Sequence, residues 1–100
     1  MKEISTEELL NKIDELAHVI IDVREDEEVA EGMIPGAVHM RLATVPERLS
    51  ELNKDKELIF VCRSGRRSEK AAEYAESHGY TCTNVVGGML AWQGSTVNPE

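Results

Sequence analysis

Two shortages limit what this chain can be. Its only cysteines, Cys62 and Cys82, stand twenty residues apart with no Cys-x-x-Cys spacing and no neighbouring His pair. That sets aside a zinc site, a thioredoxin-like dithiol and a disulfide framework. Positive charge is the second shortage: 11 Lys and Arg stand against 19 Asp and Glu, for a formal net charge of −8. Nucleic acid and anionic membranes both require a broad basic face, so neither is expected as a direct partner. Long hydrophobic runs are also missing. The start, Met1-Lys-Glu-Ile-Ser-Thr-Glu-Glu8, is charged, and no apolar stretch has the length of a signal peptide or a membrane span. The expected location is the cytoplasm. Internal repeats and low-complexity segments are absent as well, and 100 residues at 41% hydrophobic composition suffice for one core and no second domain. Residues 1–100 therefore form one expected domain, with 93–100 a loose tail, and a monomer is the plain default.

What is present centres on Leu58-Ile-Phe-Val-Cys62-Arg-Ser-Gly-Arg-Arg-Ser68. Four consecutive β-favouring apolar residues predict a buried strand, and the alanine-rich segment from Arg66 to His78 predicts a helix. Cys62 then lies at the carboxyl end of a strand, where open α/β sheets place their ligands. Unpaired N–H groups and about half a positive charge at a helix amino terminus favour a thiolate. In such settings a cysteine pKa falls from about 8.5 to between about 3.5 and 7.5. Arg63, Arg66 and Arg67 make the loop locally positive within a negative chain, which selects a small anion. Gly65 permits the positive φ that lets N–H groups converge on one point, and an Arg fork can hold two oxygens of an oxyanion. The plainer reading of each residue is structural: a cysteine at a strand end is often a small core hydrophobe, and an Arg pair on a helix's first turn is often a solvated face.

Together these residues resemble a known family. Cys62-Arg-Ser-Gly-Arg-Arg67 fits the Cys-x-x-Gly-x-Arg active-site loop of rhodanese domains. Asp22-Val-Arg-Glu25, Gly32-Met-Ile-Pro-Gly-Ala37 and Gly87-Gly-Met-Leu-Ala-Trp92 are similar to that family's other three signatures, in the same order and across nearly the whole chain. Met33 departs from the pattern, since the family often has His there. The resemblance implies a single-domain thiosulfate sulfurtransferase in which the Cys62 thiolate takes the sulfane sulfur of thiosulfate or a similar donor, becomes a persulfide, and passes the sulfur to a thiophilic acceptor such as cyanide or a thiol. Covalent catalysis of this kind predicts ping-pong kinetics. The substrate-binding loop would be Arg63, Ser64, Gly65, Arg66, Arg67 and Ser68, with no cofactor and no metal. Partners would be small-molecule donor and acceptor anions, with a sulfur-relay protein as a further candidate. Two alternatives stand beside it. A phosphatase or arsenate reductase-like enzyme could use the same nest, although Cys62 and Arg67 bracket four residues, one fewer than a Cys-x5-Arg loop. A non-catalytic regulatory module could keep the fold without the chemistry.

The rest of the chain reads as scaffold. Ser5-Thr-Glu-Glu8 is a capping-box pattern, and Leu9, Ile13 and Leu16 predict a helix over 6–16. Val19–Val23 predicts the central strand, with Asp22 and Arg24 near its carboxyl end. Those two are supporting candidates for orienting the loop or substrate, with a structural salt bridge the commoner role. Glu25–Glu31 reads as a short exposed helix whose charge is a solvated face. A Pro-Gly turn leads into a short strand, Ala37–Met40, carrying His39, whose expected role is structural. A helix follows over 46–53, opened by Pro46. Ala71, Ala72 and Ala75 would seat the Arg66–His78 helix close to the sheet, with Gly79 as its stop. Tyr80–Val86 is the last strand. On it, Cys82 is an ordinary strand residue or a resolving thiol, two readings that sequence separation does not decide. A final helix holds Leu90 and then Trp92, a core anchor. Alternating strands and helices predict an α/β fold with a parallel sheet of four to five strands and helices on both faces.

Overall fold

The computed structural model describes residues 1–15 and 17–99. Five strands, β1 (Lys2–Ser5), β2 (His18–Asp22), β3 (Val38–His39), β4 (Glu57–Val61) and β5 (Thr81–Val86), form one sheet in the order β1-β5-β4-β2-β3. Every pairing is parallel, so all five carboxyl ends lie along one rim. The middle position belongs to β4, not to β2 as the β-branched run at 19–23 suggested; β2 lies between β4 and β3. Periodicity identifies both runs as buried on two faces, and which of them is central depends on pairing alone.

Side chains alternate along β4. Leu58, Phe60 and Cys62 face one core with Ile21, Val23, Val45, Leu49 and the alanines of the long helix. Ile59 and Val61 face the other with Leu9, Ile20, Ile34 and Val85. The first core is covered by α4 (Arg66–Ser77) and by α3 (Val45–Arg48) with its flanking turns; the second is covered by α1 (Thr6–Asn11), with α5 (Gly88–Ala91) packed against it. α2 (Asp26–Val29) is a single turn between β2 and β3. Ala71, Ala72 and Ala75 are buried, as the small-residue stripe requires. α4 stops as Gly79 predicts: the Gly79 N–H donates to the Glu76 carbonyl at 3.1 Å and the Tyr80 N–H to the Ala75 carbonyl at 3.2 Å, the paired bonds of a Schellman cap.

Several boundaries differ from expectation. β1 was not anticipated; Lys2-Glu-Ile-Ser5 pairs with β5 as a short, charged edge strand, a pattern that discourages pairing with other chains. The capping box forms on both sides, Glu8 N–H to Ser5 Oγ and Ser5 N–H to Glu8 Oε1, each at 3.0 Å. The helix behind it ends at Asn11 rather than 16. Beyond it the chain tightens into three-residue turns, such as Lys12 N–H to the Leu9 carbonyl at 3.1 Å, that bring Ile13 onto the second core. Leu16 lies outside the described residues. The helix expected over 46–53 is three pieces, 3-10 turns at Leu42–Thr44 and Leu49–Glu51 on either side of α3, and it closes where Leu52 becomes extended. In the segment read as a loose tail, Val97 exchanges two 2.8 Å backbone hydrogen bonds with Met33. Among the described residues no helix is long and apolar enough to cross a membrane, and no group of His, Cys, Asp or Glu has a metal-holding arrangement.

Candidate active site

At the end of β4 the chain passes through Cys62 into the loop 63–65 and then into α4. Gly65, at φ +106°, is the N-cap of α4. That left-handed conformation turns its N–H back toward the cysteine, and the N–H donates to Cys62 Sγ at 3.1 Å. The Ser68 hydroxyl, one turn into α4, lies 3.3 Å from the same sulfur. Cys62 is 1% exposed. A sealed thiol with no donors around it would be a core residue; here donors converge on it. Burial pushes the Cys62 thiol up, but the Ser68 hydroxyl and the N–H groups of Ser68, Gly65 and Ser64 outweigh burial and hold it below its ordinary value.

The far side of the loop is clamped by α5. Met89 N–H donates to the Cys62 carbonyl at 2.8 Å and Leu90 N–H to the Arg63 carbonyl at 3.0 Å. Gly88 lies against these carbonyls so closely that a Cβ there would stand 2.6 Å from the Arg63 oxygen.

The three loop arginines do not act alike. Arg63 and Arg66 are exposed and, among the described residues, form no ion pair. Arg67 turns aside to Glu28 on α2, Nη1 to Oε1 at 2.7 Å and Nη2 to Oε2 at 2.8 Å. It is therefore a strut between α4 and α2 rather than the third member of an anion-gripping set, and Glu28 is no member of a merely solvated face. The Arg67 guanidinium holds the Glu28 carboxyl down at about 2. Asp22 and Arg24 are brought to each other and not to the sulfur. Arg24 Nε meets Asp22 Oδ1 at 3.0 Å and Nη2 meets Oδ2 at 2.8 Å. The same guanidinium donates to the carbonyls of Glu28 at 3.3 Å and Gly32 at 2.9 Å. This is the structural role, a buried pair fixing the segment that carries Glu28. His39 is likewise structural, its Nε2 2.7 Å from the Arg24 carbonyl. Cys82 pairs in register with Leu58, four residues before Cys62, and at 3.3 Å per residue the two are roughly 13 Å apart along the sheet. Burial, with the Glu76 charge behind it, pushes the Cys82 thiol up to about 11. Trp92 is half-buried against the second core.

Family comparison agrees with this geometry: residues 5–95 match the family described as "Rhodanese-like domain". The chain belongs to that family. A Bacillus subtilis protein named "Putative sulfurtransferase YtwF" is 54% identical over 97 residues, covering 96% of this chain and 94% of that one. Another from the same organism, named "Putative sulfur carrier protein YrkF", is 45% identical over 96 residues, covering 94% of this chain and 52% of that one. The crystal structure of a rhodanese-like domain protein from Staphylococcus aureus superposes with a TM-score of 0.93 at 42% identity, covering 100% of both chains.

Sequence reading of this rhodanese-like domain missed two site residues. Glu28 sits in an acidic run where nothing distinguishes it from Glu27. Asn84 is buried on β5 with its Oδ1 2.5 Å from the Ser68 Oγ; an Asn, unfavourable in strands, inside the predicted strand 80–86 was the available signal. The Glu28–Arg67 strut gives a pH prediction. The carboxyl's folded pKa lies below its unfolded value, so its contribution to stability is full above about pH 4.5 and is lost as the pH falls toward about 2. Glu28→Gln is expected to lower stability at neutral pH and to flatten the decline over that window, as read from urea midpoints across pH. Parallel curves for the two proteins would refute the strut.

Proposed function

We propose that this rhodanese-like domain is a sulfurtransferase working through a Cys62 persulfide. One observation carries the reading: a thiol at the carboxyl rim of the sheet, at the amino end of a 12-residue helix, receives both a backbone N–H and a hydroxyl. In the first half-reaction the Cys62 thiolate attacks the outer sulfur of thiosulfate or a similar sulfane donor. The donor's S–S bond breaks, its electron pair leaves with sulfite, and Cys62 becomes a persulfide whose charge rests on the outer sulfur. In the second, cyanide or a thiolate attacks that outer sulfur and the Cys62 thiolate departs. The N–H groups of the loop stabilise the anionic sulfur in both states, and exposed Arg63 and Arg66 draw small anions into a negative chain. Thiolate attack needs no general base, in keeping with His39 being occupied elsewhere. The relative named as a sulfur carrier supports a role in relaying sulfur between proteins as well as to small acceptors.

Two observations disfavour a phosphatase: the loop is one residue shorter than Cys-x5-Arg, and Arg67, which would have to grip the phosphoryl oxygens, is held bidentately by Glu28. The test is intact mass after incubating the reduced protein with thiosulfate. A gain of one sulfur atom, removed by cyanide, is expected. No adduct with any sulfane donor, or aryl phosphate hydrolysis above that of Cys62→Ser, would overturn the reading. Iodoacetamide should alkylate Cys62 with a pH midpoint below that of a free thiol, whereas a non-catalytic module would react only near the free-thiol value of about 8.5.

A further inference from the structure

The Ser68 hydroxyl and the Gly65 peptide, both beside Cys62 Sγ, are held by one residue outside the loop. Asn84, buried on β5, places its Oδ1 2.5 Å from the Ser68 Oγ and its Nδ2 3.2 Å from the Gly65 carbonyl oxygen. The orientation of the carboxamide follows from its neighbours. A carbonyl oxygen only accepts, so the NH2 must face Gly65 and the oxygen must face Ser68. The Ser68 hydroxyl then has one proton and two acceptors, Asn84 Oδ1 and Cys62 Sγ.

We propose that Asn84 is a positioning residue for the nucleophile, competing with the Cys62 sulfur for the single Ser68 proton. When Cys62 is a thiol, its S–H donates to Ser68 Oγ, and the Ser68 O–H donates to Asn84, so every group is satisfied. On ionisation the Cys62 proton leaves to solvent. The Ser68 O–H swings to the thiolate, and Asn84 Oδ1 loses its donor inside a buried site, which disfavours that state. In the persulfide the charge moves to the outer sulfur, Sγ no longer needs the proton, and the bond to Asn84 re-forms. Asn84 thus disfavours the free thiolate relative to both thiol and persulfide, and keeps the sulfur from being stabilised into a poor nucleophile. Gly65 does not depend on Asn84 alone, because its carbonyl also accepts the Glu69 N–H at 3.2 Å. The charged groups around the cysteine are Arg66 and Arg67 on α4, the latter with its Glu28 partner on α2, the Asp22–Arg24 pair at the end of β2, and Arg63 in the loop. None touches Asn84 or Ser68 by a hydrogen bond among the described residues.

The inference rests on the sulfurtransferase reading for its catalytic meaning, but its test does not. The pKa of Cys62 is measured by iodoacetamide alkylation across pH, independently of any sulfur transfer. Asn84→Leu, which keeps the branched shape but cannot accept a hydrogen bond, is expected to lower that pKa by about half to one unit, a threefold to tenfold larger thiolate fraction on the acid side. Ser68→Ala should raise it, and in the Ser68→Ala background Asn84→Leu should have no further effect. A general loosening of the loop would instead raise the pKa in both single variants. A rise in Asn84→Leu, or an effect that persists without Ser68, would overturn the proposal. A second measurement needs only the wild-type protein and Ser68→Ala. The Asn84 side-chain NH2 signals should shift with pH at the Cys62 midpoint in the wild type and stay constant in Ser68→Ala; signals that ignore the midpoint in the wild type would also overturn it.

Discussion

Cys62→Ser is expected to abolish sulfur loading and to reduce transfer from thiosulfate to cyanide to background, a loss of about 10³-fold or more. The magnitude follows from what the loop stabilises. The Gly65 N–H and Ser68 hydroxyl sit around a sulfur that burial alone would keep neutral. A serine hydroxyl in that place stays protonated at neutral pH and is far less nucleophilic toward sulfur. The substitution is nearly isosteric, so circular dichroism and the urea midpoint should change little, and lost activity can be assigned to chemistry. Cys82 is the internal control. Its thiol is pushed up to about 11 and it lies four residues back along the neighbouring strand register, so Cys82→Ala should load sulfur normally. Retained loading in Cys62→Ser, or loss in Cys82→Ala, would show that the sulfur resides elsewhere.

Gly88→Ala should be the most damaging single methyl group in the molecule. Its Cβ would meet the carbonyls of Cys62 and Arg63, backbone atoms that α5 itself binds through Met89 and Leu90. Neither side can yield without breaking those bonds. Overpacking of this kind costs about 1–3 kcal/mol, visible as a lower urea midpoint. The effect on activity should be larger than the stability loss implies. The carbonyls that must move belong to the nucleophile and its neighbour, and a displacement of about 1 Å in a catalytic group can cost about 10²-fold. The variant is therefore expected to be folded at low temperature, to load sulfur at about one-hundredth of the wild-type rate, and to show a higher Cys62 pKa as the Gly65 N–H drifts from the sulfur. Wild-type loading rates in Gly88→Ala would mean that α5 does not govern the loop.

Residues in and around the loop differ in how far they could be read in advance. The position of Cys62 at the strand end was legible because its signals are local: an apolar run ends on it, a glycine follows three residues later, and a helix pattern starts just after. Gly65 and Ser68 were legible for the same reason, being within one helical turn of the sulfur. Arg67 was misread because its local setting, a cation beside an anion-binding loop, is the same whether the side chain turns inward or toward α2. Glu28 lies 39 residues earlier in sequence, and only the packing of α2 over the loop brings the two carboxylate oxygens to within 2.8 Å of the guanidinium. Asp22 and Arg24 were each expected to be structural more often than functional, and they meet as a pair across the single residue between them.

From the sequence alone came the α/β class, the parallel sheet with helices on both faces, the rim position of Cys62 and the glycine-bearing loop that leads from it into a helix, because periodicity, caps and turns act over a few residues. The tertiary structure decided the strand order with β4 in the middle, the edge strand at 2–5, the diversion of Arg67 to Glu28, the seating of Gly88 on the loop carbonyls and the hold of Asn84 on Ser68 and Gly65. Each of those depends on which distant segments meet. A hydrogen bond or a steric limit between residues tens of positions apart leaves no mark on local pattern, since its energy exists only once the chain has closed around it.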